Sequence, residues 1–164
     1  IKSPKESGKT FLENSKLKAD YFYKFSKITS ISDDSGLSIS CLNGKPGIYS
    51  SRWAKRYGGF KNAMKKIIEI IEKKNKKKKV KNTRAQFVCS LTIRFSKRKS
   101  ISSLGIINGN ISNKILGKNG FGYDPIFIPK NHKITFAQML KRKKILIDHR
   151  YIAYKKLKKK TNIL

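Results

Sequence analysis

Negative charge is what this chain has least of. Its 164 residues hold 9 Asp plus Glu against 40 Lys plus Arg, a formal net charge of +31. Such an excess suits a nucleic-acid partner. Much of it, however, lies in two runs, Lys73 to Lys81 and Lys155 to Lys160, in the company of abundant Ile and Asn. That is the pattern left when coding drift favours A/T-rich codons, and it reads as solvated surface ahead of a polyanion site. Cysteine is scarce too. Cys41 and Cys89 both sit inside alternating apolar segments, which argues against a disulfide scaffold and for buried free thiols in a reducing compartment, the cytoplasm being the simplest address. Long apolar runs are missing: no stretch approaches the roughly 18 residues of a membrane helix, so a soluble protein without a membrane partner is expected. The opening Ile1-Lys2-Ser3-Pro4-Lys5 lacks the apolar run of a signal peptide. With Ile rather than Met first, it reads as the start of a fragment.

The few acids that remain are informative. Glu6, Asp33, Asp34, Asp124 and Asp148 all fall inside short motifs bearing Gly, aromatic or His residues. Around them the hydrophobic pattern marks out elements. Thr10-Phe11-Leu12-Glu13 has the form of a capping box, so a helix should follow, with Leu17, Tyr21, Phe22 and Phe25 as its buried face. Asp33-Asp34-Ser35-Gly36 breaks the pattern, and Leu37, Ile39 and Cys41 then alternate with serines as a half-buried strand would, placing the acidic pair at a strand junction. Asn43-Gly44 and Pro46-Gly47 mark a turn. Phe60, Ala63, Met64, Ile67, Ile68 and Ile71 draw an amphipathic helix from Phe60 to about Lys74.

Ala85 to Phe95 alternates with period two, the clearest strand in the chain. Ile101 to Ile107 is its expected partner across a turn, and Asn108-Gly109-Asn110 reads as another turn. Thr135 to Gln138 repeats the capping-box form, and Asp148 is suited to cap a closing helix through Leu157. Interleaved helices and strands predict a single α/β domain over residues 1–164, built on an elongated mixed β-sheet flanked by helices.

Four segments in this order carry a resemblance. They are Glu6 to Asn14 with Leu17-Lys18-Ala19; Asp33-Asp34-Ser35-Gly36-Leu37 with Leu42 to Arg52; Gly120-Phe121-Gly122-Tyr123-Asp124-Pro125-Ile126-Phe127; and Lys144 followed by Asp148-His149-Arg150. Together with Arg84 to Cys89 on the long strand, this set resembles the inosine triphosphatase family across essentially the whole chain. The family comprises pyrophosphatases that remove noncanonical purine nucleoside triphosphates. The resemblance implies hydrolysis of ITP, dITP or XTP to the monophosphate and pyrophosphate, with Mg2+ as cofactor and a homodimer as assembly. It implies Asp34 as catalytic base and metal ligand, Glu6 as a second metal ligand, Lys18 as a phosphate-facing lysine and Ser35 as a substrate contact. It places the purine at Phe121, Gly122, Tyr123 and Asp124, completed by Lys144, His149 and Arg150.

The residues agree with this on chemical grounds. A triphosphate needs a cation held by hard carboxylate oxygens, which Asp33 and Asp34 offer. Asn14 and Lys18 lie one helical turn apart and share a face. Rings, a flexible Gly and a carboxylate suit a base pocket, and donors aimed at a 6-keto oxygen disfavour the 6-amino group of adenine. By itself, Asp-Asp-Ser-Gly would be read as a turn satisfying its own amides.

Several positions depart from the family. Lys5 stands beside Glu6 where many members have two acids, Asp148 replaces the usual Ser, Gln138 a usual Glu, and Tyr151 a frequent Gly. The family's opening strand, with its Ser/Thr-Gly-Asn loop and phosphate-cradling lysine, does not precede Ile1, so the chain as given is expected to be N-terminally truncated and weakly active or inactive. Two alternatives to a working hydrolase are a basic nucleic-acid-binding protein using the lysine runs and a catalytically impaired family member.

Overall fold

The structure, a computed structural model, describes residues 2–161. The chain divides into two compact units interleaved in sequence: residues 2–35, 88–106 and 148–161 in the first, residues 36–87 and 107–147 in the second. The fold is α/β. Its elements are α1 (Phe11–Ser26), β1 (Ser30–Ile39), α2 (Ser50–Arg56), α3 (Phe60–Asn75), β2 (Arg84–Arg94), β3 (Ser100–Ile111), β4 (Phe127–Pro129), α4 (Lys141–Ile145) and α5 (His149–Thr161), with short 3-10 turns between. The strands form one sheet in the order β1-β2-β3-β4. Strands β2 and β3 are joined by five residues, too few for a parallel crossover, so they form an antiparallel hairpin. Strand β4 pairs antiparallel with β3, Asn110 opposite Ile128.

In the first unit, Thr10 caps α1 by accepting from the Glu13 amide at 3.1 Å. The Glu13 carboxylate reaches back one residue further than a capping box requires, to the Lys9 amide at 2.6 Å. The helix buries a different face from the one expected. Asn14, Ser15 and Ala19 are buried, whereas Phe25 is 58% exposed. The reason is polar: the Ser15 hydroxyl sits 2.8 Å from both Ser90 and Thr92 of β2, so a hydroxyl cluster seats the helix.

The acidic pair is also placed differently. Asp33 and Asp34 lie inside β1, with no junction at Gly36. A strand interior tolerates them because each carboxylate meets a cation, Arg150 for Asp33 and Lys18 for Asp34. At the other end of this unit Asp148 caps α5, its Oδ1 accepting from the Tyr151 amide at 2.8 Å. The helix runs on past Leu157 to Thr161.

The second unit holds the apolar core. Helix α3 inserts Ala63, Met64, Ile67 and Ile71 against Leu37, Ile39, Ala85 and Phe87. Phe87, Phe127 and Phe136 close the core as a ring cluster with centroid separations of 4.6–6.1 Å. Cys41 lies in a 3-10 turn, not in β1, and neither it nor Cys89 forms a disulfide. Asn108-Gly109-Asn110 is not a turn but the interior of β3. Gly109 is needed there for close approach, since a Cβ would lie 2.3 Å from the Ile128 carbonyl oxygen. Thr135 and Gln138 do form the capping box, over a single 3-10 turn. No helix is long and apolar enough to cross a membrane among the described residues.

Candidate active site

The chemistry-bearing residues fall into two clusters, one in each unit. In the first, helical spacing puts Asn14 and Lys18 of α1 side by side, and both reach Asp34 of β1. Asn14 Nδ2 donates to Asp34 Oδ2 at 3.3 Å, and Lys18 Nζ donates to Asp34 Oδ1 at 3.1 Å. Lys18 Nζ also donates to Glu6 Oε1 at 2.8 Å. The Gly8 amide donates to Asn14 Oδ1 at 2.8 Å and so ties the Glu6 loop to the helix. A Cβ at Gly8 would lie 2.7 Å from that oxygen, which is why the motif carries glycine.

Burial sets the proton affinities here. It pushes the Asp34 carboxyl above its ordinary 3.8, the charge and hydrogen bond of Lys18 only partly countering this, while Glu6 adds to the rise. Burial also works against protonation of Lys18, but the Glu6 hydrogen bond and the Asp34 charge outweigh it and hold the ammonium above 10.5. The result is a poised carboxylate beside a fixed positive charge, the arrangement a general base needs.

Strand alternation sends Asp33 and Ser35 to the face opposite Asp34. There Ser35 Oγ donates to Asp33 Oδ2 at 2.8 Å, and Arg150 Nε donates to the same oxygen at 3.2 Å. Burial pushes the nearby Cys89 thiol up to about 11, so it is not a nucleophile at neutral pH. His149, one residue before Arg150, is buried where α5 meets Gly105 of β3. A cavity of about 410 Å³ opens beside Lys18, Asp33 and Arg150.

The donor set suits a hard divalent cation. Glu6 and Asp34 both pair with a single ammonium, so two hard carboxylates converge on one cationic position, and the Glu6 charge disfavours ionisation of Asp34. Mg2+ characteristically takes one or two carboxylates and completes its shell with water and substrate phosphates. Among the described residues no group of three or more His, Cys, Asp or Glu forms a metal cage, so any remaining ligands would have to be of that kind.

In the second unit, Asp124 is buried and its Oδ2 accepts from the Phe121 amide at 2.8 Å and from Lys144 Nζ at 2.5 Å. Gly120 and Gly122 both have positive φ, 77° and 65°, which lets the loop fold tightly over Asp124. A Cβ at Gly120 would lie 2.1 Å from Asp124 Oδ2. Lys144 Nζ sits 4.8 Å from the Phe121 ring centroid and 5.3 Å from that of Phe136. Phe121 itself is 61% exposed.

Tyr123 differs. It is buried, stands edge-on to Phe60 with centroids 5.2 Å apart, and donates its hydroxyl to the Ser50 carbonyl at 2.9 Å. Burial pushes that phenol up to about 12. The larger cavities of this unit, about 710 and 960 Å³, are lined by none of these residues. Asn14, which helical spacing had put beside Lys18, proves to be the second donor to Asp34, whereas Asp33, offered by the sequence as a cation ligand together with Asp34, pairs with Arg150 on the opposite face of the strand.

A family model described as the Ham1 family matches residues 1–160. The chain belongs to the Ham1 family. Among curated members, it is similar to a dITP/XTP pyrophosphatase of Caulobacter vibrioides, 36% identical over 96% of this chain and 79% of that one. A dITP/XTP pyrophosphatase of Bacillus anthracis is 38% identical over 98% of this chain and 78% of that one. Among solved structures, a HAM1 protein from Coxiella burnetii superposes with a TM-score of 0.90 at 31% identity, covering 100% of this chain and 82% of that one. The Ham1 assignment agrees with the family resemblance carried by the four sequence motifs.

Proposed function

We propose that this Ham1 protein hydrolyses noncanonical purine nucleoside triphosphates, ITP, dITP and XTP, to the monophosphate and pyrophosphate, a nucleotide-pool sanitation activity. The names of its curated relatives support the reaction class, and one observation carries it to residues: the buried Asp34 carboxylate held between Lys18 and Asn14, with Glu6 on the same ammonium. Asp34 orients a water and takes its proton as the water oxygen bonds to the α-phosphorus. The bond from that phosphorus to the bridging oxygen breaks, and pyrophosphate leaves. Lys18 fixes the Asp34 carboxylate and offsets phosphate charge. Asp34 and Glu6 would hold Mg2+, which would further neutralise the phosphates.

Exposed Phe121 packs on the purine, with Gly122 allowing close approach and buried Tyr123 bracing the loop. Asp124 holds Lys144 in place, and Lys144 donates to the 6-keto edge. Leaving such a donor unmatched against a 6-amino group is what discriminates against ATP. Residues 1–164 act as one pyrophosphatase domain, as a homodimer in the cytoplasm.

The test is pyrophosphate release from dITP with Mg2+ by the wild type and by Asp34→Asn. Loss of the base should cost about 10²–10⁴-fold in kcat. Unchanged turnover in Asp34→Asn would remove Asp34 from the chemistry, and wild-type preference for dATP would remove the substrate assignment.

A further inference from the structure

We propose that the first unit carries a second binding surface, for single-stranded nucleic acid, formed by the outer face of α5 and the adjoining β2–β3 turn. It goes beyond the pyrophosphatase reading and uses none of the residues assigned to that chemistry.

Two basic segments distant in sequence meet there. Helix α5 lies along β3, and its contacts step back along the strand as the helix advances. Gly105 lies under His149 and Ala153, where a Cβ would come within 2.0 Å of the His149 carbonyl oxygen. Ser103 Oγ donates to the Ala153 carbonyl at 2.7 Å. Lys156 Nζ then donates to the Leu104 carbonyl and Lys160 Nζ to the Ser102 carbonyl, each at 2.9 Å. The C-terminal half of α5 is thereby pinned beside the start of β3, roughly 10 Å of strand from Lys99. Lys97, Arg98 and Lys99 of the turn and Lys155, Lys158 and Lys159 of the helix are all exposed. Together they form a set of six exposed cations near the start of β3. No acid follows Asp148 in the chain, and none lies between Glu72 and Asp124, so nothing within either segment neutralises it.

Rings are interleaved with these amines. Tyr151, Tyr154, Lys155, Lys158 and Lys159 recur at spacings of three and four, with Lys155 and Lys159 opposite the buried Ala153 and Leu157 and with Tyr151, Lys158 and Tyr154 along one flank. Tyr151 and Tyr154 stack at 6.5 Å, and Lys155 Nζ stands 5.6 Å from the Tyr151 ring centroid. On the turn, Lys99 Nζ stands 5.4 Å from that of Phe95. Cations that track a phosphate backbone beside rings that accept unpaired bases are the two requirements for binding a single strand. The surface does not suit a lipid bilayer, because the apolar side of α5 is already spent on β3. The other lysine run differs: it follows α3, whose Glu69 pairs with Lys66 and Lys73.

The experiment is fluorescence anisotropy of a labelled oligothymidylate 20-mer against the whole protein over a range of salt, with melting curves confirming that each variant is folded. Six phosphate contacts predict a slope of log K against log salt near about −4. Replacing Lys97, Arg98 and Lys99 with Gln should reduce that slope by about 2. Replacing Lys155, Lys158 and Lys159 should do the same, and the six-fold variant should keep its dITP hydrolysis at the wild-type level. Tyr154→Ala should weaken the oligonucleotide about tenfold while leaving inorganic polyphosphate binding unchanged. The proposal is overturned if the six-fold variant binds as the wild type does, or if neutralising Lys76 to Lys79 weakens binding more than it does. It is equally overturned if polyphosphate or anionic vesicles compete as well as the oligonucleotide and Tyr154→Ala has no effect.

Discussion

Lys18 stands where three demands meet: it neutralises two carboxylates, it is partly buried, and its position follows from a single helical turn after Asn14. Its removal therefore has a specific signature. In Lys18→Met, Asp34 loses the charge and hydrogen bond that restrain the rise in its pKa, so the carboxyl should rise further. The base must be ionised to act, so the acid limb of kcat/KM for dITP should move to higher pH, with kcat also reduced. A limb that stays in place or moves to lower pH would contradict the coupling between the two residues. The buried Lys144–Asp124 pair follows the same logic in the second unit. Removing one partner leaves an uncompensated buried charge, so Lys144→Met should cost roughly 3–5 kcal/mol in urea unfolding. A double variant that also carries Asp124→Asn should recover part of that loss. If the two single losses simply add, the pair is not coupled.

At the scale of elements, what could be read from the sequence was what local chemistry decides. The Asp148 cap, the α3 stripe of Ala63, Met64, Ile67 and Ile71, and the period-two run of β2 all depend on neighbours within a few residues. What could not be read was decided by distant partners. Asp33 and Asp34 have turn-like chemistry, yet sheet pairing and two cations brought from α1 and α5 keep them in a strand, so context overrides propensity. Asn108-Gly109-Asn110 looks like a turn until β4 packs on Gly109. Helix α1 was expected to bury Phe25, but it buries Ser15 because Ser90 and Thr92 offer hydroxyls across the interface. That last finding is testable: Ser15→Ala strips a shared partner from two buried hydroxyls, which should cost about 1–3 kcal/mol by chemical denaturation. A neutral outcome would mean that the cluster does not seat the helix.

For the molecule as a whole, the acids are the economical guide. With a net charge of +31, an unneeded carboxylate would be unremarkable only if acids were common. Instead Asp34 and Glu6 share Lys18, Asp33 holds Arg150, Asp124 holds Lys144 and Asp148 caps α5. The motif set was legible because each of these acids sits in a short motif bearing Gly, aromatic or His residues. The partners across the fold needed coordinates. The central claim is that water directed by Asp34 attacks the α-phosphorus of an inosine-type triphosphate. Hydrolysis of dITP in ¹⁸O-labelled water, read by mass spectrometry, tests it most directly. The label should appear in the monophosphate and not in pyrophosphate. Label in pyrophosphate, or release of orthophosphate in its place, would contradict the mechanism.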